Sequence, residues 1–160
     1  MRALKLSHCS WCGAAYAPEQ PWPRTCASCN KTTYRNPIPV AVVLLPVAGG
    51  LLTIRRDIEP RRGELALPGG YVELGETWQQ AGARELREET GVTIDASELR
   101  ERRVLSGDDG TLLVFGVAHE RDRMPQVQTS AETSEIVLID SPRELAFPLH
   151  TLVVREWFGR

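Results

Sequence analysis

The sequence predicts an α/β fold, a mixed sheet packed between helices, with a small cysteine-rich module ahead of it. Three observations predict it. All four cysteines lie in the first 29 residues, as two Cys-x2-Cys pairs. Beyond them, short apolar, β-branched runs are separated by glycine and proline. One stretch of helix formers rich in glutamate, Trp78 to Thr90, follows a glycine-containing loop and stops at Gly91.

The cysteine module comes first. Cys9 and Cys12 form one pair, Cys26 and Cys29 the other, with Gly13 to Thr25 between them. Two such knuckles offer four thiolates, the ligand set of tetrahedral Zn²⁺. The intervening stretch holds Pro18, Pro21, Trp22 and Pro23 and has too little apolar content to fold alone, so a metal would supply the missing stability. Two disulfides are the alternative, and they suit a secreted chain. Met1 to Ser10 has charges and no continuous apolar segment, which favours zinc. Four thiolates close the shell, so the ion would be structural and His8 a neighbour rather than a ligand. Residues 1–33 are read as a zinc ribbon and 34–160 as the main domain, with Asn36, Pro37 and Pro39 in the linker.

In the main domain, Ile38 to Leu45 reads as a central strand. Pro46 to Gly50 is a turn, and Leu51 to Arg56 a second strand that can form a hairpin with the first. Asp57 to Gly63 is a polar loop. Glu64 to Glu73 holds short extended pieces broken at Pro68, Gly69 and Gly70. Thr77 is the expected N-cap of the helix, with Gln80 completing a capping box. Leu99 to Ser106 and Thr111 to Ala118 flank Gly107-Asp108-Asp109-Gly110 as a hairpin. A long polar loop, Glu120 to Thr133, leads to a strand at Glu135 to Asp140. Ser141 and Pro142 can start a short helix to Ala146. Leu149 to Phe158 reads as an amphipathic helix. The pattern leaves the strand order open.

The chemistry concentrates on the first helix and its approach: Gly70, Glu76, Arg84, Glu85, Leu86, Glu88, Glu89, Gly91 and Val92. At about 100° per residue, Glu85, Glu88 and Glu89 fall within roughly a 100° arc. Arg84 stands one turn before Glu88 and can pair with it. Three carboxylates this close repel one another unless a cation lies among them. Mg²⁺ and Mn²⁺ prefer such oxygen ligands and keep room for waters and substrate phosphate.

A net charge of −2 argues against a broad basic nucleic-acid groove. No apolar run reaches the length of a membrane span, so a cytoplasmic protein without a membrane partner is expected.

The spacing G-x5-E-x7-R-E-L-x-E-E-x-G-V, from Gly70 to Val92, resembles the signature of the Nudix hydrolase family without departure. Leu67-Pro68-Gly69-Gly70 is similar to the segment that precedes it in that family. The resemblance covers roughly Pro39 to Trp157, and Leu65 stands where many relatives carry tryptophan. It implies an α/β/α sandwich and hydrolysis of a nucleoside diphosphate derivative. It implies that Glu85, Glu88 and Glu89, with the Gly70 carbonyl, hold catalytic Mg²⁺ or Mn²⁺. It implies further that Glu76 braces Arg84, which orients a metal-binding glutamate. The ions would neutralise the diphosphate and activate water, whose proton a carboxylate removes. Glu132, in the polar loop, is the candidate base outside the box, with a solvated surface charge as the alternative reading. Arg55, Arg56, Gly69, Gly70 and Tyr71 are candidate substrate contacts, and Arg61 and Arg62 are further cations nearby. Tyr71, Trp78 and Phe115 are candidates to stack on a base. His119 and His150 have no supporting constellation.

A ribbon joined to such a domain resembles two subgroups, the NADH pyrophosphatases and a group acting on ADP-ribose and FAD. The first carries Ser-Gln-Pro-Trp-Pro-Phe-Pro after the box; here Gln20-Pro21-Trp22-Pro23 echoes it, but before the box. The expected substrate is therefore of the ADP-ribose, FAD or NADH type, preferentially the first two. The alternative is a nucleotide-sensing regulator whose ribbon binds nucleic acid or protein, with Arg24, Lys31 and Arg35 as its basic residues. Family members are often homodimers, and the resemblance allows one here.

Overall fold

The computed structural model describes residues 6–159. Of the charged N-terminal stretch Met1 to Ser10, the first half lies outside the described residues. Contacts divide the chain into two units that meet at Pro37 and Ile38.

The smaller unit is built from two matching turns. In the first, Cys9 N–H donates to the Ala14 carbonyl (2.8 Å) and Gly13 N–H to the Cys9 carbonyl (2.9 Å). In the second, Cys26 N–H donates to Lys31 and Asn30 N–H to Cys26, both at 2.9 Å. Gly13 (φ 73°) and Asn30 (φ 58°) occupy the left-handed region that lets each turn close. Strands β1 (Arg24–Thr25) and β2 (Thr32–Thr33) pair antiparallel beside the second turn. Tyr16, buried among the cysteines, donates its hydroxyl to Thr33 Oγ1 at 2.6 Å.

The larger unit contains β3 (Ile38–Leu44), β4 (Pro46–Val47), β5 (Gly50–Arg56), β6 (Leu65–Ala66), β7 (Gly69–Tyr71), α1 (Trp78–Thr90), β8 (Arg100–Ser106), β9 (Thr111–Val117), β10 (Thr133–Ile139) and α2 (Pro148–Phe158). One sheet runs β7-β3-β9-β8, and the other β10-β5-β4 with β6 also on β5. The β3–β9 ladder is parallel and the remaining ladders are antiparallel, so the sheet system is mixed.

Side-chain alternation along β3 builds the layers. Val42 and Leu44 pack with Phe115 and with Val153 and Val154 of α2. Val43 and Leu45 face the other way, against Leu86 of α1 and Leu99. The strand is buried on both sides, which is why it reads as an unbroken apolar run. Truncating Leu86, fully buried in the second layer, would cost about 2–5 kcal/mol. Among the described residues no helix is long and apolar enough to cross a membrane.

Helix α1 has the expected bounds. Gln80 N–H donates to Thr77 Oγ1 (3.2 Å), and Thr77 N–H donates back to Gln80 Oε1 (2.7 Å). Gly91, at φ 75°, closes the helix by donating to the Arg87 carbonyl. The hairpin of β8 and β9 also forms as expected.

Three expectations are corrected. The strands at Ile38 and Leu51 do not pair with each other, because the chain changes sheets between them. The hairpin there is only β4 with β5, turned by Ala48 (φ 47°) and Gly49 (φ 83°). Gly69 and Gly70 do not break the extended segment; they are strand residues opposite Val42 and Ala41. A Cβ on Gly69 would stand 2.8 Å from Val42 Cα, so glycine permits the close ladder. Pro142 to Ala146 is not helical. Leu145 N–H goes to Thr151 Oγ1 (2.9 Å) and Ala146 N–H to the Leu65 carbonyl (2.7 Å), so neither closes a helical turn. The proline at the first helical position is Pro148 instead.

Candidate active site and metal centre

A cavity of about 700 Å³ opens in the larger unit. Glu85, Glu88 and Glu89 reach it from α1, and Glu132 from the loop before β10. Gly69, Gly70 and Tyr71 of β7 line one wall, and Arg56 enters from the end of β5. Val40, Val42, Leu67 and Leu113 give it an apolar floor.

Arg84 organises the carboxylates. Its Nη2 donates to Glu76 Oε1 at 2.7 Å and to the Tyr71 carbonyl at 2.9 Å, while Nε reaches Glu76 Oε2 at 3.3 Å. Its Nη1 donates to Glu85 Oε1 at 2.7 Å and to Glu88 Oε2 at 3.2 Å. Glu76 also accepts from Glu73 N–H at 2.8 Å. The guanidinium holds the Glu76 carboxyl below its ordinary range, and its own proton is held correspondingly tightly. One cation thus serves three carboxylates.

Glu89 lies deeper, only 6% exposed. Gly69 N–H donates to its Oε2 at 2.8 Å. Burial raises its pKa to about 8; the Gly69 bond opposes this, while the charges of Glu85 and Glu132 reinforce it. Burial also raises Glu85, against the pull of Arg84. Gly70 lets the Glu85 carboxyl lie flat on the strand, since a Cβ there would stand 2.5 Å from its carboxyl carbon. These are hard oxygen donors carrying more negative charge than Arg84 offsets, and they fit a divalent cation.

Not every expected residue reaches the cavity. Arg55 is engaged elsewhere, with Nε on Glu135 Oε2 at 2.7 Å and Nη1 on the Gly63 carbonyl at 3.0 Å. Arg61 pairs with Glu64 and Arg62 with Asp57 on the surface. Phe115 is wholly buried, and Trp78 packs over Gly116, so neither is free to stack on a base. Tyr71 is exposed at the rim. Among the cavity residues outside the sequence expectations are Phe147, which lies under the Arg56 guanidinium at 5.1 Å, and His150 beside it. Neither carries a local sequence signal, because each lies more than 90 positions from Arg56.

In the smaller unit, the sulfurs of Cys9, Cys12, Cys26 and Cys29 lie within 4.8 Å of one another, and no disulfide joins them. Cys9 and Cys29 are 3.7 Å apart, and Cys12 and Cys26 are 3.6 Å apart. Tetrahedral Zn–S bonds of about 2.3 Å place sulfurs about 3.8 Å apart, so the cluster fits one such ion. Burial opposes the Cys9 thiolate, yet backbone hydrogen bonds around Trp11 and Cys12 bring its pKa down to about 6. The Cys29 thiol is pushed up to about 12: a backbone bond at Lys31 lowers it, but burial and the neighbouring sulfurs outweigh that bond. Sulfurs this close share charge poorly without a cation.

The model of the NUDIX domain matches residues 35–157. Curated relatives include the "NAD-capped RNA hydrolase NudC" of Edwardsiella ictaluri, 34% identical over 87 residues, 54% of this chain and 34% of the relative. The protein of that name from Salmonella typhi is 32% identical over 87 residues, with the same coverage of both chains. This chain therefore matches about a third of the length of those relatives. Among solved structures, a NUDIX hydrolase from Nitrosomonas europaea has a TM-score of 0.75 at 22% identity, covering 96% of this chain and 91% of that one. A bifunctional NMN adenylyltransferase/ADP ribose pyrophosphatase from Francisella tularensis, complexed with AMP and a Mn ion, has a TM-score of 0.58 at 24% identity, covering 66% of this chain and 34% of that one. These solved structures share the mixed α/β fold of this chain. The chain belongs to the NUDIX domain family.

Proposed function

We propose that this chain hydrolyses the diphosphate linkage of a nucleoside diphosphate derivative of the ADP-ribose, FAD or NADH type. The observation that carries the reading is the convergence of Glu85, Glu88, Glu89 and Glu132 on one cavity with an apolar floor. The names of the relatives, which mention NAD caps and ADP-ribose, point to the same substrate class.

In this reading Glu85, Glu88, Glu89 and the Gly70 carbonyl hold Mg²⁺ or Mn²⁺. Such an ion supplies positive charge for the diphosphate and makes water a usable nucleophile near neutral pH. Arg84 is a positioning residue: it fixes Glu85 and Glu88 and is itself braced by Glu76. Glu132, outside the helix, takes the proton of the attacking water. Arg56 binds phosphate oxygens, and Tyr71 closes the rim. The four cysteines hold one structural Zn²⁺, and their unit is a zinc ribbon.

The test is turnover of ADP-ribose, FAD, NADH, NAD-capped RNA and nucleoside triphosphates, each with Mg²⁺, Mn²⁺ or chelator, beside Glu89→Gln. One preferred substrate, silent with chelator and at least roughly tenfold slower in the variant, is expected. No turnover across the panel by folded, zinc-loaded protein would overturn the reading.

One observation favours a second role for the ribbon. Residues 1–37 carry five Lys or Arg against one Glu, although the whole chain is net negative. Trp11 is 67% exposed, with Lys31 Nζ 5.8 Å from its ring centroid. Salt-dependent binding of single-stranded RNA, lost in Trp11→Ala, would support a nucleic-acid contact there.

A further inference from the structure

We infer that His150, set in the floor of the cavity beside Phe147 and Arg56, uses its Nε2–H to bind a neutral acceptor on the nucleoside part of the substrate. The inference rests on the hydrolase reading for the identity of the ligand, and on the following geometry for the donor.

His150 lies in the first turn of α2 and is only 5% exposed. Its Nδ1 accepts the Leu67 N–H at 3.3 Å. That bond requires a lone pair on Nδ1, so the ring is neutral and its proton is on Nε2. Phe115 and Phe147 hold the ring at centroid distances of 5.6 and 5.1 Å. Among the described residues no hydrogen-bond partner meets Nε2. Nor is that atom sealed from solvent, for among the described residues Thr133 Oγ1 is the one unpartnered buried side-chain atom. His150 lines the cavity, the space this inference gives to the N–H. Burial holds the His150 pKa near 3, with the Arg56 charge adding to the effect, and the ring therefore stays neutral at working pH.

The floor thus offers two different donors. Arg56, stacked on Phe147 and anchored by Nε to the Pro60 carbonyl at 3.0 Å, is charged and suits phosphate. His150 is uncharged and set against Leu67, Phe115 and Phe147, which suits a ring nitrogen, carbonyl or hydroxyl of a nucleoside.

The experiment uses the full zinc-loaded chain, and neither probe has a diphosphate linkage, so no turnover intervenes. AMP and ribose 5-phosphate are titrated by calorimetry into wild type, His150→Gln and His150→Phe. Both variants lose the acceptor for Leu67 N–H, but glutamine keeps a donor near the Nε2 position. Expected are AMP binding at least roughly tenfold weaker in His150→Phe and within about threefold of wild type in His150→Gln. Weakening for AMP alone assigns a base acceptor, and weakening for both probes assigns a sugar hydroxyl. Imidazole ¹⁵N spectra of the wild type give a readout that needs no variant: AMP should shift His150 Nε2 and its proton. Equal binding by both variants, an unmoved His150 signal while Gly69 and Gly70 amides shift, or no binding of either probe would each overturn the inference. Failure of turnover across the substrate panel with these shifts intact would sink the hydrolase reading and leave the donor standing.

Discussion

Arg84 grips Glu76 with two nitrogens, Nη2 to Oε1 at 2.7 Å and Nε to Oε2 at 3.3 Å, leaving Nη1 for Glu85 and Glu88. A planar fork can do this and a lysine cannot. Arg84→Lys should keep the fold yet raise the Mn²⁺ concentration for half-maximal turnover at least roughly tenfold. A metal titration of activity beside a thermal melt checks it. A change in Tm with no change in metal dependence would make Arg84 a stabilising residue only.

The buried carboxylate of Glu89 ties stability to pH. Its pKa rises from the ordinary 4.5 to about 8 in the folded chain. Without metal, the folded protein therefore keeps a proton that the unfolded chain releases from about pH 4.5 upward. The stabilisation is complete below 4.5 and is lost as pH rises to about 8. With chelator, Tm should fall across this window, and the Tm gain from added Mn²⁺ should grow. Glu89→Gln, which can still accept from Gly69 N–H, should flatten both trends. A Mn²⁺ effect independent of pH in the wild type would count against Glu89 as a ligand.

How far these features were legible depended on range. The capping box of Thr77 and Gln80, the stop at Gly91 and the hairpin around Gly107 are set by residues a few positions apart, and they stand as read. The separation of β3 from β5 is not local. Val42 and Val43 bury opposite faces of one strand, and no short pattern tells which sheet each neighbour joins. Ser141 and Pro142 carry a sound helix-start signal, but tertiary hydrogen bonds from Leu145 and Ala146 override it. In the site, the helix carboxylates are legible through their spacing, whereas the tautomer of His150 is set by Leu67, 83 positions away.

The cysteine cluster gives an independent test of the division at Pro37. Removing one of four sulfurs leaves an open, weaker shell. Cys26→Ser should bind zinc at least roughly a hundredfold more weakly and expose the first 37 residues to protease. Each unit has its own buried cluster, so the cavity and its chemistry should persist. Zinc content, limited proteolysis and turnover together decide it. One tightly retained equivalent of zinc in the variant would contradict the four-sulfur assignment.

Two glycines near the site separate chemistry from packing. The three nearest atoms to a Cβ on Gly70 would all belong to the Glu85 carboxyl, the movable end of a side chain. Gly70→Ala should therefore displace Glu85 from Arg84, slow turnover at least roughly tenfold and cost less than about 1 kcal/mol of stability. A Cβ on Gly82 would stand 2.9 Å from Leu99 Cδ1 and 3.1 Å from Val43 Cγ2, inside the core against α1. Helix propensity favours alanine there by about 1 kcal/mol, but overpacking costs about 1–3 kcal/mol. Gly82→Ala should come out neutral to destabilising, with turnover at low temperature within about threefold of wild type. Melts and kinetics of the two variants give opposite orderings if Gly70 serves the carboxylates and Gly82 serves the core. A larger loss of Tm in Gly70→Ala than in Gly82→Ala would assign Gly70 to the fold instead.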